Sequence, residues 1–177
     1  LYVKEVPIII DPGISTYEKG ETRLRERGTA AHNTVTIKDK NSSEVWASHR
    51  VGRRANVTIL NDNENYVNVR HNGYQLLGTY HQRKWIFSSN NIKITDSLIG
   101  KVREGKAHFW FSSFIKPTMR GVTVDTEKTT FIFKSADSIE LLKTQQDVIY
   151  LIVGSGEEQE KWKDLVPVER GSRSAAF

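Results

Sequence analysis

"YVNVRHN", residues 66–72, decides the fold class. In an extended chain, Val67, Val69 and His71 point to one side and Tyr66, Asn68 and Arg70 to the other, because successive side chains of a strand alternate between faces. "NIKITDSLIG" (91–100) repeats the period with Ile92 and Ile94, and "TTFIFKS" (129–135) with Phe131 and Phe133. Working outward, "NTVTI", "EVWAS", "ANVTIL", "TYHQRKWIF", "AHFWFSSF", "GVTVD", "SIELL" and "DVIYLIVG" read as further strands. Turn-forming clusters such as "DKNSS", "NDNEN", "HNG" and "SSNN" separate them. Ten or more short strands at this spacing predict an all-β fold, a sandwich or a barrel. The one helical pattern is "EEQEKWKDLV" (157–166), where Trp162, Leu165 and Val166 fall at i, i+3 and i+4, enough for about two turns.

The 177 residues suffice for one sizeable core, so residues 1–177 are read as a single domain. Cysteine is absent, which excludes disulfides, thiolate metal sites and a cysteine nucleophile. Met119 is the only methionine, so Leu1 is not read as the natural start, and the chain is read as a processed product or a part of something longer. No stretch approaches the roughly 18 uncharged apolar residues of a membrane-spanning helix, and the mean hydropathy is −0.51. The net charge is +5. Most of the surplus lies in residues 18–54, which hold nine basic and five acidic side chains. An anionic partner fits that imbalance, whether nucleic acid, an acidic polysaccharide or a phosphate-bearing surface; a solvated face of mixed charge fits it too. No nucleic-acid-binding motif accompanies the charge.

"IIIDPGISTY" (8–17) runs three apolar residues into Asp11, and "GTAAHNTV" (28–35) opens the next clear strand on His32. A carboxylate oxygen and an imidazole nitrogen are good ligands for zinc or a similar divalent ion, but two ligands do not close a site. Asp-Pro-Gly is equally a common turn, and a strand-initial histidine is commonly a surface residue. No G-x-S-x-G elbow supports a hydrolase triad, and no glycine-rich loop precedes a helix to cradle phosphate. "RLRERG" (23–28), if extended, aligns Arg23, Arg25 and Arg27 on one face, a row suited to carboxylates or sulfates or to defending an edge strand.

Taken in order, "IIIDPGISTY", "RERGTAAHNTVTI", "SSEVWASHRVGRRA", "GYQLLGTYHQRKWIF" and "AHFWF" resemble the C-terminal half of the heparinase II/III-like polysaccharide lyases. The resemblance implies an antiparallel β-sandwich, the C-terminal part of a protein whose N-terminal helical toroid lies outside this chain. It implies an enzyme that cleaves an acidic, uronic-acid-containing polysaccharide such as a glycosaminoglycan by β-elimination, with the proton-transfer groups in the toroid. No catalytic residue is then expected here, and the isolated chain is expected to be inactive. By the same resemblance, Asp11 and His32 correspond to two ligands of a structural zinc. The third is a histidine upstream, and residues 1–10 contain none. Tyr17 falls near a tyrosine lining the substrate cleft, with Arg23, Arg25 and Arg27 as contacts for the acidic sugar. Asp-Pro-Gly stiffens the family's Asp-x-Gly by fixing φ at Pro12 and leaves the carboxylate free. The expected setting is the periplasm or the exterior of a bacterium, with the cytoplasm open. The competing expectation is a non-catalytic carbohydrate-binding or scaffolding sandwich, since a fold does not dictate a function.

Overall fold

The computed structural model describes residues 1–89, 91–120, 123–126, 128–134, 138–143, 149–155 and 162–166. Its elements, in chain order, are β1 (Tyr2–Val3), β2 (Val6–Pro7), α1 (Glu21–Glu26), β3 (Val35–Thr36), β4 (Val45–Ala47), β5 (Arg50–Val51), β6 (Val57–Asn63), β7 (Tyr66–His71), β8 (Thr79–Phe87) and β9 (Ile92–Gly100). β10 (Gly105–Trp110), β11 (Thr118–Arg120), β12 (Thr123–Asp125), β13 (Thr130–Lys134), β14 (Ser138–Lys143), β15 (Ile149–Ser155) and β16 (Trp162–Val166) follow. Two antiparallel sheets dominate. One has eight strands, ordered β11-β12-β13-β16-β9-β8-β7-β6, and the other four, ordered β14-β15-β10-β3. The fold is thus the all-β, antiparallel sandwich expected, with one short α-helix among the described residues.

The two sheets meet in a single apolar cluster. Val35, Ala107 and Phe109 come from the smaller sheet, Val124 and Phe131 from the larger, and Ile94 and Leu98 of β9 pack at its margin. Phe111 and Phe131 meet edge to face, with ring centroids 5.3 Å apart. Burying such side chains stabilises the sandwich by roughly 1.5–3 kcal/mol each. The alternation read in the sequence runs through β8, where Thr79, His81 and Arg83 are buried while Tyr80 is exposed.

Three expectations are corrected. "RLRERG" is not extended: Arg23 and Arg25 lie in α1 and Arg27 caps it. Residues two apart on a helix sit about 200° apart, so the row of three guanidiniums on one face does not exist. The helical pattern over 157–166 fails for Trp162–Val166, which form β16 between β13 and β9; the rest of that segment lies outside the described residues. Ten residues cannot distinguish the two periods firmly, and pairing on both sides of β16 overrides so weak a local preference. Finally, "IIIDPG" is not a regular strand. It lies beside the end of β10 through Ile10 N–H to Trp110 O (2.9 Å) and Ser112 N–H to Ile8 O (2.9 Å).

Candidate functional site

Pro12 followed by Gly13 at φ +67° turns the chain sharply after Asp11. The Gly13 N–H donates to Asp11 Oδ1 (3.0 Å), so one carboxylate oxygen is held by its own turn. The other, Oδ2, lies 2.8 Å from His32 Nδ1. His32 does not begin β3; it ends the 3-10 turn Thr29–Ala31 with extended backbone. The structure therefore brings together the two residues singled out as ligands, 21 positions apart, with both side chains about half exposed.

The donor set fits a divalent ion. Ligand atoms about 2 Å from a tetrahedral zinc stand about 3.3 Å apart, so parting this pair by half an ångström admits a metal in place of the shared proton. Among the described residues, no third histidine, cysteine or carboxylate completes the group.

Asn33 locks the two segments together. Its Nδ2 donates to Ile10 O (2.7 Å), the carbonyl just before Asp11, and its Oδ1 accepts the Trp110 N–H (2.8 Å). Its own carbonyl accepts Arg83 Nη1–H at 2.5 Å. Arg83 in turn grips Asp96 bidentately, Nε to Oδ1 at 2.6 Å and Nη2 to Oδ2 at 2.8 Å, across the β8–β9 pair where the two residues face each other. His81 Nε2 reaches the same Oδ1 (2.6 Å), and its Nδ1 meets His71 Nε2 (3.0 Å). Because Gly73 N–H occupies His71 Nδ1 (3.0 Å), the His71 proton sits on Nε2 and donates to His81, whose own proton then faces Asp96. Burial pushes His71 down to about 4, helped by the neighbouring His81 and the charge of Arg83. Burial alone would raise Asp96, but Arg83 and His81 hold it well below the usual carboxylate range. Tyr74, the tyrosine of the "GY…H-x-R" segment, is buried and donates its hydroxyl to Val35 O (2.7 Å), tying β3 to the larger sheet.

The remaining expected contacts lie on the surface. Tyr17 is 75% exposed, and the Arg23 guanidinium rests over its ring at 5.5 Å. Arg25 is exposed, while Arg27 Nη1 donates to Ala47 O (2.8 Å) and so braces the β4–β5 hairpin. Sequence reasoning missed Asn33, Asp96 and the Trp46–Arg50 pair, whose guanidinium lies 5.1 Å over the indole. His81 and Arg83 could be placed on one face of β8 from alternation, but Asp96 opposite them depends on a register the sequence does not state.

The family model described as "Heparinase II/III-like, C-terminal" matches residues 1–166, and the chain belongs to that family. Among solved structures, heparan sulfate lyase HepC from Pedobacter heparinus superimposes with a TM-score of 0.69 at 15% identity, over 97% of this chain and 30% of that one. The heparinase III BT4657 gene product gives 0.63 at 16% identity, over 94% and 29%. Another heparinase III gives 0.62 at 17% identity, over 96% and 29%. The chain thus spans about a third of the length of these enzymes. No curated protein matches. Among the described residues, no helix is long and apolar enough to cross a membrane.

Proposed function

We propose that the intact protein is a polysaccharide lyase acting on an acidic, uronic-acid-containing polysaccharide by β-elimination, and that this chain is its sandwich domain. Membership of the heparinase II/III-like C-terminal family over residues 1–166 carries the reading. In β-elimination a base removes the C5 proton of the uronate, its charge is stabilised at the carboxylate, and an acid protonates the departing glycosidic oxygen. The proton-transfer groups belong to the toroid expected upstream. The sandwich supplies one wall of the cleft, with Tyr17, Arg23 and Arg25 available to hold sugar and carboxylate. Asp11 and His32 hold a divalent ion, zinc or similar, together with a third ligand from the preceding segment. When bound, that ion braces the 11–33 region as a cross-link. The periplasm or the cell exterior is the setting that suits such a substrate.

Incubating the intact protein with heparan sulfate, other glycosaminoglycans and alginate is expected to produce unsaturated uronate ends, read as new ultraviolet absorbance. A broad panel with no such product overturns the reading. Metal analysis of the same protein tests the ion separately: Asp11→Ala and His32→Ala are each expected to lower bound zinc by about tenfold or more. The exposed aromatic–guanidinium pairs also suit a non-catalytic sugar-binding module. Saturable glycan binding without any elimination product favours that second reading.

A further inference from the structure

Trp46 and Arg50 lie outside the residues assigned to the lyase cleft, yet they repeat the arrangement of Tyr17 and Arg23. Each pair sets a guanidinium over an exposed ring, at 5.1 Å for Trp46–Arg50 and 5.5 Å for Tyr17–Arg23. Trp46 is 55% exposed. The register of β4 against β5 shifts between Val45 and Ala47, so Trp46 stands at an irregularity of the hairpin. Trp110, by contrast, is half-buried and donates its indole N–H to Ala30 O (3.1 Å).

The two pairs flank one seam. Gly20 N–H donates to Ser48 Oγ (3.1 Å) and Arg27 Nη1 to Ala47 O (2.8 Å), joining the 17–27 segment to the hairpin. Counting 3.8 Å per residue out from the Gly20–Ser48 bond, the Cα atoms of Tyr17 and Trp46 are at most about 26 Å apart. A short oligosaccharide spans that distance.

We propose that this seam is a two-point subsite for an anionic sugar chain, with Trp46 and Arg50 as the second contact beside Tyr17 and Arg23. The proposal rests on the acidic-polysaccharide reading and adds the place where further sugar units bind. A guanidinium stacked on a ring is already oriented, and its N–H edge stays available for a carboxylate or sulfate. The exposed ring surface takes the apolar face of a pyranose. Neither the Arg23 nor the Arg50 guanidinium has a hydrogen bond or ion pair among the described residues; Arg23 Nε and Nη1 are enclosed, which leaves Nη2 as the Arg23 group open to an anion, while Arg50 is exposed. Two carboxylates lie nearby, and each is held by other donors; the Ser15 hydroxyl, and after it Arg23, help to hold the Glu26 carboxyl below its ordinary range. Glu26 Oε1 accepts the Ser15 N–H and hydroxyl, and Glu44 Oε2 accepts the Arg53 N–H.

The test is calorimetric titration of the intact protein with size-defined heparan sulfate and alginate oligosaccharides, and with a neutral β-linked glucan oligosaccharide. At least one anionic probe is expected to bind, and the neutral one at least tenfold more weakly. Trp46→Ala and Arg50→Ala are each expected to weaken anionic binding about five- to tenfold, and Trp46→Tyr to restore most of it. Arg70→Ala serves as the control, because Arg70 lies 5.3 Å over Tyr80 in a similar pair away from the seam; its binding is expected to match wild type. Should Trp46→Ala fail to fold, as judged by circular dichroism, Arg50→Ala and Trp46→Tyr still decide. Wild-type affinity in a folded Arg50→Ala variant, or equal binding of neutral and anionic probes, overturns the proposal. Elimination product measured on the same samples separates the two ideas. Product formed with binding indifferent to Trp46 and Arg50 removes the subsite alone, while binding that depends on both without product removes the lyase reading alone.

Discussion

Asp96 is completely buried, and three protein nitrogens, two of Arg83 and one of His81, meet its carboxylate. Arg83 covers both oxygens and His81 shares one, so the anion is offset by a guanidinium that is itself 8% exposed. Breaking a buried pair of this kind is far more damaging than never having made it, because the surviving charge has neither water nor partner. Asp96→Asn is therefore expected to lower stability by about 3–5 kcal/mol in urea denaturation. The damage should travel further. Arg83 also holds the Asn33 carbonyl, and Asn33 holds the residue before Asp11, so a loosened Arg83 frees the Asp11–His32 pair. Zinc binding by the variant is expected to weaken at temperatures where it is still fully folded. Unchanged stability in Asp96→Asn would mean that Arg83 finds other acceptors and that the clamp is redundant.

α1 illustrates an element its own sequence scarcely supports. It has six residues, no buried side chain and no side-chain cap at Gly20, which makes it marginal by helix–coil energetics alone. Bonds to other segments hold it: Ser15 to Glu26, Gly20 to Ser48, and Arg27 to Ala47. Arg27→Ala is accordingly expected to cost about 1 kcal/mol in thermal or urea unfolding. Arg25→Ala, at an exposed position, is expected to stay within about 0.5 kcal/mol of wild type. The reverse order would return Arg27 to the surface row first read from the sequence. This also explains what the sequence reveals and what it hides. β8 is legible because burial of one face imposes a period of two on its first half, whereas β7 is part-buried along its whole length and β9 along most of it, so those two are read from their β-branched residues and flanking turns. α1 is not legible, because contacts with residues 15 and 47–48 decide it. Asp11 and His32 could be paired through their order within a family pattern, whereas Trp46 over Arg50 depends on how β4 and β5 are registered.

The sandwich as a whole should be sensitive to mild acid, and the reason lies in two histidines on different sheets. His71 of β7 and His108 of β10 are both pushed down to about 4, by burial above all, with Arg83 and His81 adding to the effect at His71 and Lys106 at His108. His108 Nε2 lies 2.9 Å from Thr36 Oγ1 and Nδ1 is enclosed without a partner, so a doubly protonated ring would carry a buried charge with one N–H unpaired. In the unfolded chain both rings titrate near 6.5. Between pH 6.5 and 4 the unfolded state binds protons that the folded state refuses, so stability is fully present above about 6.5 and falls as the pH drops towards 4. Each histidine accounts for up to about 3 kcal/mol of that loss. Asp96, held low, adds its own loss only below the ordinary carboxylate range near 3.8. Urea midpoints measured from pH 7.5 to 4 are expected to stay level down to about 6.5 and then decline. His108→Gln is expected to show a decline about half as steep, whatever its stability at neutral pH. A level profile down to pH 4 in the parent protein would show that the folded state takes up these protons as readily as the unfolded chain, and would overturn the prediction.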